Sequence, residues 1–420
     1  MQSQNFTHTH FKTIVITYFL SMFLVFSSCE IWTLPSPELC VGAVLCQGHV
    51  TKLIFHADSS RVFHNAINNN FISNTERTFI SGGTLAPQAG QMINTEGGTW
   101  DDTESAPNLF PFNTTVSNVD TKQLFMIGGL DSIPSSPSST IDLLSINTSS
   151  SFASNKIDVY NSSNDWTVGN TQLPRGGHTA TLISDNQIFL IGGNSDNSRT
   201  EIYDFNTSET TLSSPLHNNR YFHTSTLLGD NQIVVIGGIE YETQLTSKKV
   251  EIYNPSNNTF EERVSPNDFA PRVGHTVDSG GVANTVVIIG GQQNENEFHN
   301  DIWTYYPNQD QVFINSPEVL PFPSAYHTTT VLPNNLLLIV GGRDANKSHD
   351  GILLFDLAEN KVITLDCSLT HARHGHSTTI LNLDKLHNVR IVVIGGQNAN
   401  GAVLQSEEIV LNLNCIKPLE

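Results

Sequence analysis

Two reactive side chains recur together along this chain. Arg and His stand three apart in LPRGGHTATL (Arg175, His178), NNRYFHTSTL (Arg220, His223), APRVGHTV (Arg272, His275) and ARHGHSTTIL (Arg373, His376), and RVFHN repeats the spacing at Arg61 and His64. PSAYHTTTVL keeps only its histidine, His327. A guanidinium presents forked donors suited to carboxylate or sulfate. Arg61, Arg175, Arg220, Arg272 and Arg373 gathered at one opening would therefore bind an anion, such as an acidic sugar or an acidic peptide segment. The competing assignment pairs them with acids that also recur, Asp158, Glu201, Glu251, Asp301 and Glu408. A residue type repeated in every unit is more often a brace than a site. The histidines could look like a metal ring, but Arg and His three apart on an extended strand point to opposite faces. Their repetition favours buried, hydrogen-bonded imidazoles, so neither a metal nor a cofactor is expected. Residues that break the repetition, Tyr221, Tyr326, Arg343, Asp344 and His349, could serve as acid, base or sugar-stacking groups.

The elements that must position these residues are themselves repeated. A short apolar run closing in Gly-Gly recurs as TFISGG, LFMIGG, IFLIGG, VVIGG, VVIIGG, LLIVGG and VVIGG. Gly82 to Gly395 spans 313 residues in six intervals, about 52 per unit. Runs of Val, Ile, Leu and Phe read as buried strands, and the glycines permit a turn that side chains resist. A second strand follows each doublet and ends in an aromatic (Tyr160, Tyr203, Tyr253, Tyr305, Phe355). A third carries Trp166, Phe260, Phe313 or Val362, and the Arg-x-x-His phrase leads into a fourth. The fold class is thus all-β: a propeller of seven blades, or six if the first unit is only a lead-in, each of four antiparallel strands. After the last Gly-Gly only SEEIVLNL remains, so a segment near the N-terminus, VGAVL or KLIF, is expected to complete the closing blade.

With strands named a to d from the axis outward, the d-to-a and b-to-c connections emerge on one face. That face is the candidate site. Its b-to-c loops are polar and unequal, and the longest, from Leu130 to about Asn155, has a composition that favours disorder.

The phrases P-R-x-x-H-T, an apolar run with Gly-Gly, and E-I-Y-x-P resemble the kelch-repeat propellers, particularly the bacterial and galactose-oxidase-like type, over about residues 55–415. In that oxidase a Tyr-His pair like Tyr326-His327 supplies copper ligands. The cross-linked cysteine that the chemistry also requires has no counterpart in a channel-facing phrase, which argues against copper-radical oxidation. The resemblance implies either a non-catalytic binding scaffold or, as the alternative, a periplasmic sugar-modifying enzyme similar to the kelch epimerase (mutarotase) of sialic acid. Binding is preferred, since no Ser-His-Asp order, phosphate-cradling loop or dinucleotide fingerprint is present.

Composition narrows the partners. Forty Asp and Glu against 20 Lys and Arg give a net charge of −20, and no basic run offsets it, so nucleic acid is not expected. A protein or acidic carbohydrate is, with the chain itself a monomer. Residues 1–29 read as a signal peptide: the apolar run Thr13–Phe26 is short for a membrane span and ends before Ser27, Ser28 and Cys29. Cys29 is a lipidation candidate, plain cleavage or an uncleaved anchor being the alternatives. The chain is expected to be exported, as a periplasmic or outer-surface lipoprotein or as a secreted protein, and to touch a membrane only through that N-terminus. Residues 30–54 form a lead-in with the ring-closing strand, and 55–420 the propeller. Four further cysteines allow three pairings, of which Cys40–Cys46 with Cys367–Cys415 is expected in an oxidising compartment.

Overall fold

The computed structural model describes residues 166–193, 198–280, 284–307, 312–383, 388–403 and 405–413, together with the earlier strands 50–56, 65–68, 77–81, 91–94, 99–102, 114–118, 123–127 and 154–160. The regular elements of these residues are strands, and they form seven four-stranded antiparallel sheets with three short two-stranded pairs beside them. The third sheet is typical: strand a (Thr179–Ser184), b (Gln187–Ile191), c (Arg199–Asp204) and d (Glu209–Pro215), paired in that order. The a strands touch one another in sequence, from Asn65–Asn68 of the first sheet through to Ser377–Leu383 of the seventh, and that last strand touches the first again. A cycle of inner strands with sheets radiating from it is a β-propeller.

The closing sheet draws on both ends of the chain. Its strands a (Ser377–Leu383), b (Asn388–Ile394) and c (Gln405–Asn412) come from the C-terminal part, and its outermost strand is Val50–His56, which contains KLIF. Val50 pairs with Ile409 and Lys52 with Glu407. VGAVL lies outside the described residues.

The continuous apolar b strands follow from their position. A strand covered on both sides must place apolar side chains at odd and even positions alike. Ile188 and Leu190 pack with Ile157 of the second sheet, whereas Phe189 and Ile191 pack with Ile233, Val235, Tyr253 and Phe260 of the fourth. The same division forms a core between the fourth and fifth sheets, the fifth and sixth, and the sixth and seventh.

The Gly-Gly doublets are where successive sheets meet. Gly237 has φ +65°, and a Cβ there would stand 2.6 Å from the carbonyl oxygen of Arg272, which leads into the next sheet. The Gly238 N–H donates to that same carbonyl at 2.9 Å, and the bond recurs from Gly193 to Arg220, Gly291 to Ser324 and Gly342 to Arg373. A side chain at the first glycine would push these neighbours apart.

Candidate functional site

The d-to-a and b-to-c connections share one face. Arg220–Tyr221 pairs with Ile239–Glu240, and single bridges join Val273 to Gln292, Ala325 to Arg343 and His374 to Gln397. Each of these pairs lies at the mouth of the ring, where one sheet is entered and its b-to-c loop begins.

Arg175, Arg220, Arg272 and Arg373 have 0% exposure, so none of them can meet a ligand at this mouth. Each lies across the top of its own sheet, joined to a carboxylate: Arg175 to Glu201 at 2.8 Å, Arg220 to Glu251 at 2.7 Å and Arg373 to Glu407 on strand c, and Arg272 to Asp301 at 3.0 Å, just before strand c of the fifth sheet (Ile302–Tyr306). The remaining guanidinium donors reach backbone carbonyls, such as Gly192 O at 2.6 Å and Gly290 O at 2.9 Å. The three glutamates also accept main-chain N–H groups of the connection before their arginine, as Glu251 does from His217 at 2.8 Å, whereas Asp301 accepts from the Trp303 indole at 2.7 Å. Burying both charges is tolerable because nearly every donor and acceptor is matched. The arginine ring is therefore an internal brace. Arg61 lies outside the described residues.

Two details of the expected pattern change. Glu407, opposite Val393, takes the register held by Glu201 opposite Leu190 and Glu251 opposite Val235; Glu408 instead pairs with Arg390 at 2.5 Å. The Arg-x-x-His phrase is also not an extended strand. Its third residue has positive φ in each described copy: Gly177 +64°, Phe222 +55°, Gly274 +66°, Tyr326 +56° and Gly375 +62°. That turn removes the alternation argument, and both Arg and His point inward.

His178, His223, His275, His327 and His376 are each 4–5% exposed. Four of them bond through Nε2 to a threonine hydroxyl of the preceding sheet: His223 to Thr179 at 3.0 Å, and His275, His327 and His376 to Thr224, Thr276 and Thr328 at 3.1 Å. Burial pushes the His178 imidazole down to about 3, with Arg175 adding to the effect, and His327 down to about 4; His223 and His275 fall well below the usual range for the same first reason. They act as neutral inter-sheet links, His327 of the Tyr-His pair included. Among the described residues no group of three or more His, Cys, Asp or Glu is placed to hold a metal.

The sixth sheet departs from the pattern at both ends of the brace. Ser324 stands in the arginine position, and Leu353, opposite Ile339, stands in the acid position. Losing both together leaves no unpaired charge.

What remains at the mouth is aromatic and asymmetric. The Phe222 ring covers Gly177 and the Tyr326 ring covers Gly274, so closely that a Cβ on either glycine would stand 2.7 or 2.5 Å from it. Phe222 is half-buried and Tyr326 is 6% exposed. Arg343 is half-buried, and its guanidinium lies 5.4 Å from the Phe298 ring centroid. Asp344 caps its own loop, accepting N–H bonds from Asn346 and Lys347 at 2.7 and 2.9 Å, with His349 at 3.6 Å. Tyr221 is 2% exposed and its hydroxyl donates to Gln244 Oε1 at 2.8 Å, which makes it a support for the loop.

His374 was not singled out from sequence, since it fills one of the two variable places between Arg373 and His376. Its Nδ1 lies 2.9 Å from Ser348 Oγ and its Nε2 3.1 Å from Gln397 Nε2. The Gln397 amide is a donor, so Nε2 accepts and Nδ1–H donates to the serine. Burial, then Arg343 and His349, pushes this imidazole down to about 3. An imidazole so weakly basic, already donating to the hydroxyl, does not activate a serine nucleophile. In the channel wall, Asp278 is raised by burial and accepts a hydrogen bond from Thr329.

The family described as the KLHDC2/KLHL20/DRC7 Kelch-repeats domain matches residues 222–415, which hold the fourth, fifth and sixth sheets and three of the four strands of the seventh. No curated protein matches the chain. The match supports kelch repeats over residues 222–415, and the cycle of antiparallel sheets makes the fold a β-propeller.

Proposed function

We propose that the chain is an exported binding scaffold that recognises a protein through the face where the d-to-a and b-to-c connections meet. Kelch repeats commonly mediate protein binding. The observation that carries the reading is the half-buried residue set left at the mouth once the arginines are withdrawn: Phe222, Arg343 and Phe298, ringed by polar loops of unequal length. Aromatic and arginine anchors within a polar rim are the composition of a protein-binding surface. The sugar-modifying alternative needs a raised carboxylate beside a ligand-facing arginine; among the described residues the carboxylate that burial raises is Asp278, and it accepts from the Thr329 hydroxyl. The apolar leader at residues 13–26 and the half-cystine at Cys367 support export.

Photo-crosslinking residues placed at 222 and 343, with one at Asn206 on the opposite face as control, test the reading on cells that produce the protein. The same partner captured from the first two positions and not from the third is expected. Equal labelling from both faces, or none from the mouth, would refute it.

A further inference from the structure

Each of the seven sheets ends outward in a d strand, and six of these strands carry a charge or a proline: Asp102 in Thr99–Asp102, Pro174 in Trp166–Arg175, Pro215 in Glu209–Pro215, Glu262 in Thr259–Arg263, Lys361 in Lys361–Ser368 and Lys52 in the closing strand Val50–His56. Such residues keep an open strand edge from recruiting another chain. Strand d of the fifth sheet, Val312–Asn315, has neither. Two of its apolar side chains, which share one face, are also uncovered: Val312 is 40% and Ile314 47% exposed. Among the described residues no strand pairs with its outer side.

The ladder fixes which groups face outward. The Ser316 N–H donates to Ile302 O at 2.8 Å, and the register sets Thr304 opposite Ile314 and Tyr306 opposite Val312. Bonded and unbonded pairs alternate along an antiparallel ladder. The pairs at Ser316, Ile314 and Val312 therefore hold the sheet together, while Phe313 and Asn315 turn their N–H and C=O away from it. The strand can satisfy those groups with its own copy. A two-fold axis at Phe313 lets each Phe313 exchange both main-chain bonds with its mate, and it places Val312 of either copy opposite Ile314 of the other. We infer that two copies of this chain pair through Val312–Asn315, joining their fifth sheets into one antiparallel sheet of eight strands. Two copies of net charge −20 repel, and this is the outer strand that adds no charge to the contact. The pairing uses the same edge on both copies, so it stops at two, and it lies on the outer rim, so the mouth of the ring stays open. A strand of 4 residues is short against the roughly 20–30 residues a side of a stable interface. The dimer is thus one that dissociates on dilution and tightens as salt screens the repulsion. The monomer expected from the sequence is its dilute form.

The test is sedimentation velocity on the full chain over a range of concentrations, at low and at high ionic strength. A monomer–dimer equilibrium that tightens with salt is expected. Ile314→Lys should weaken it by about tenfold or more, since two lysines would face the pairing strand. Val264→Lys, at an 86% exposed residue that follows strand d of the fourth sheet, should leave it unchanged. The register is read by mixing copies that carry Val312→Cys with copies that carry Ile314→Cys in oxidised glutathione. Opposed residues that share no ladder bond lie about 4.5 Å apart between Cα atoms, within disulfide reach, so a bond between positions 312 and 314 should form in the mixture. That measurement supplies the answer should Ile314→Lys fail to fold. A single species at every concentration overturns the proposal, as do open-ended aggregates, association that weakens with salt, or equal loss from both lysine variants. Cross-linking no greater in the mixture than in either cysteine variant alone overturns it too.

Discussion

Replacing Glu251 with leucine should be among the most damaging single changes in this molecule, and replacing Arg220 with serine at the same time should recover much of the loss. Glu251 has 0% exposure and accepts from Arg220 at 2.7 Å, from the His217 N–H at 2.8 Å and from the Asn218 N–H at 3.4 Å. Leucine at 251 leaves the Arg220 guanidinium fully buried without its counter-charge, a change that costs about 3–5 kcal/mol. Folding free energies are about 5–15 kcal/mol in total. The double variant recreates Ser324 and Leu353 of the sixth sheet, where the same core closes without either charge. Its residual cost is that of the two N–H groups deprived of an acceptor, about 1–3 kcal/mol each if they stay buried and less if water reaches them. Urea unfolding of the wild type, both single variants and the double variant gives the coupling directly. A coupling of about 2 kcal/mol or more is expected, and single effects that add to within about 0.5 kcal/mol would refute the brace.

The buried histidines make the fold acid-sensitive. An unfolded imidazole binds its proton near pH 6.5, while His327 does so near 4 and His178 near 3 in the folded chain. Between those values the unfolded state holds more protons, so stability is full above about pH 6.5 and falls toward pH 4 and 3, by about 1.4 kcal/mol per pH unit for each such histidine. Urea midpoints measured from pH 7.5 to 4.5 should show this fall, and a flat profile would contradict the burial of these rings. Gly237→Ala should destabilise strongly, because its Cβ would meet Arg272 O at 2.6 Å and its φ is +65°, whereas Gly169→Ala, with its nearest neighbours at 3.6 Å, should be close to neutral in the same assay. Arg343→Ala should weaken capture of the partner crosslinked from position 222 by about tenfold or more while leaving the urea midpoint within experimental scatter; a drop in stability to match would make Arg343 a support for the loop.

The architecture was legible because the repeat constrains it several times over. Each Gly-Gly marks the end of a strand buried on both sides, each aromatic marks the end of strand c, and the missing fourth strand of the last sheet could be sought near the N-terminus. The Arg-Glu pairing was legible as one of two possibilities, but burial was what separated them, and burial depends on the neighbouring sheet. Register was less accessible: SEEIVL offers Glu407 and Glu408 side by side, and only pairing opposite Val393 distinguishes them. Reading Arg-x-x-His as extended failed because Phe222 and Tyr326 adopt a positive φ that their residue types disfavour, and their glycine counterparts at 177, 274 and 375 were the available signal. His374 could not be found by repetition, since the residues that give it partners, Ser348 and Gln397, come from two different b-to-c loops.

Arginine footprinting with phenylglyoxal tests the internal brace, since it reads each guanidinium in the native protein. Arg175, Arg220, Arg272 and Arg373 should stay unmodified until the chain unfolds, while the half-buried Arg343 reacts. Native-state modification of those four at the rate of Arg343 would contradict the account and return the ring of arginines to the surface as a ligand site.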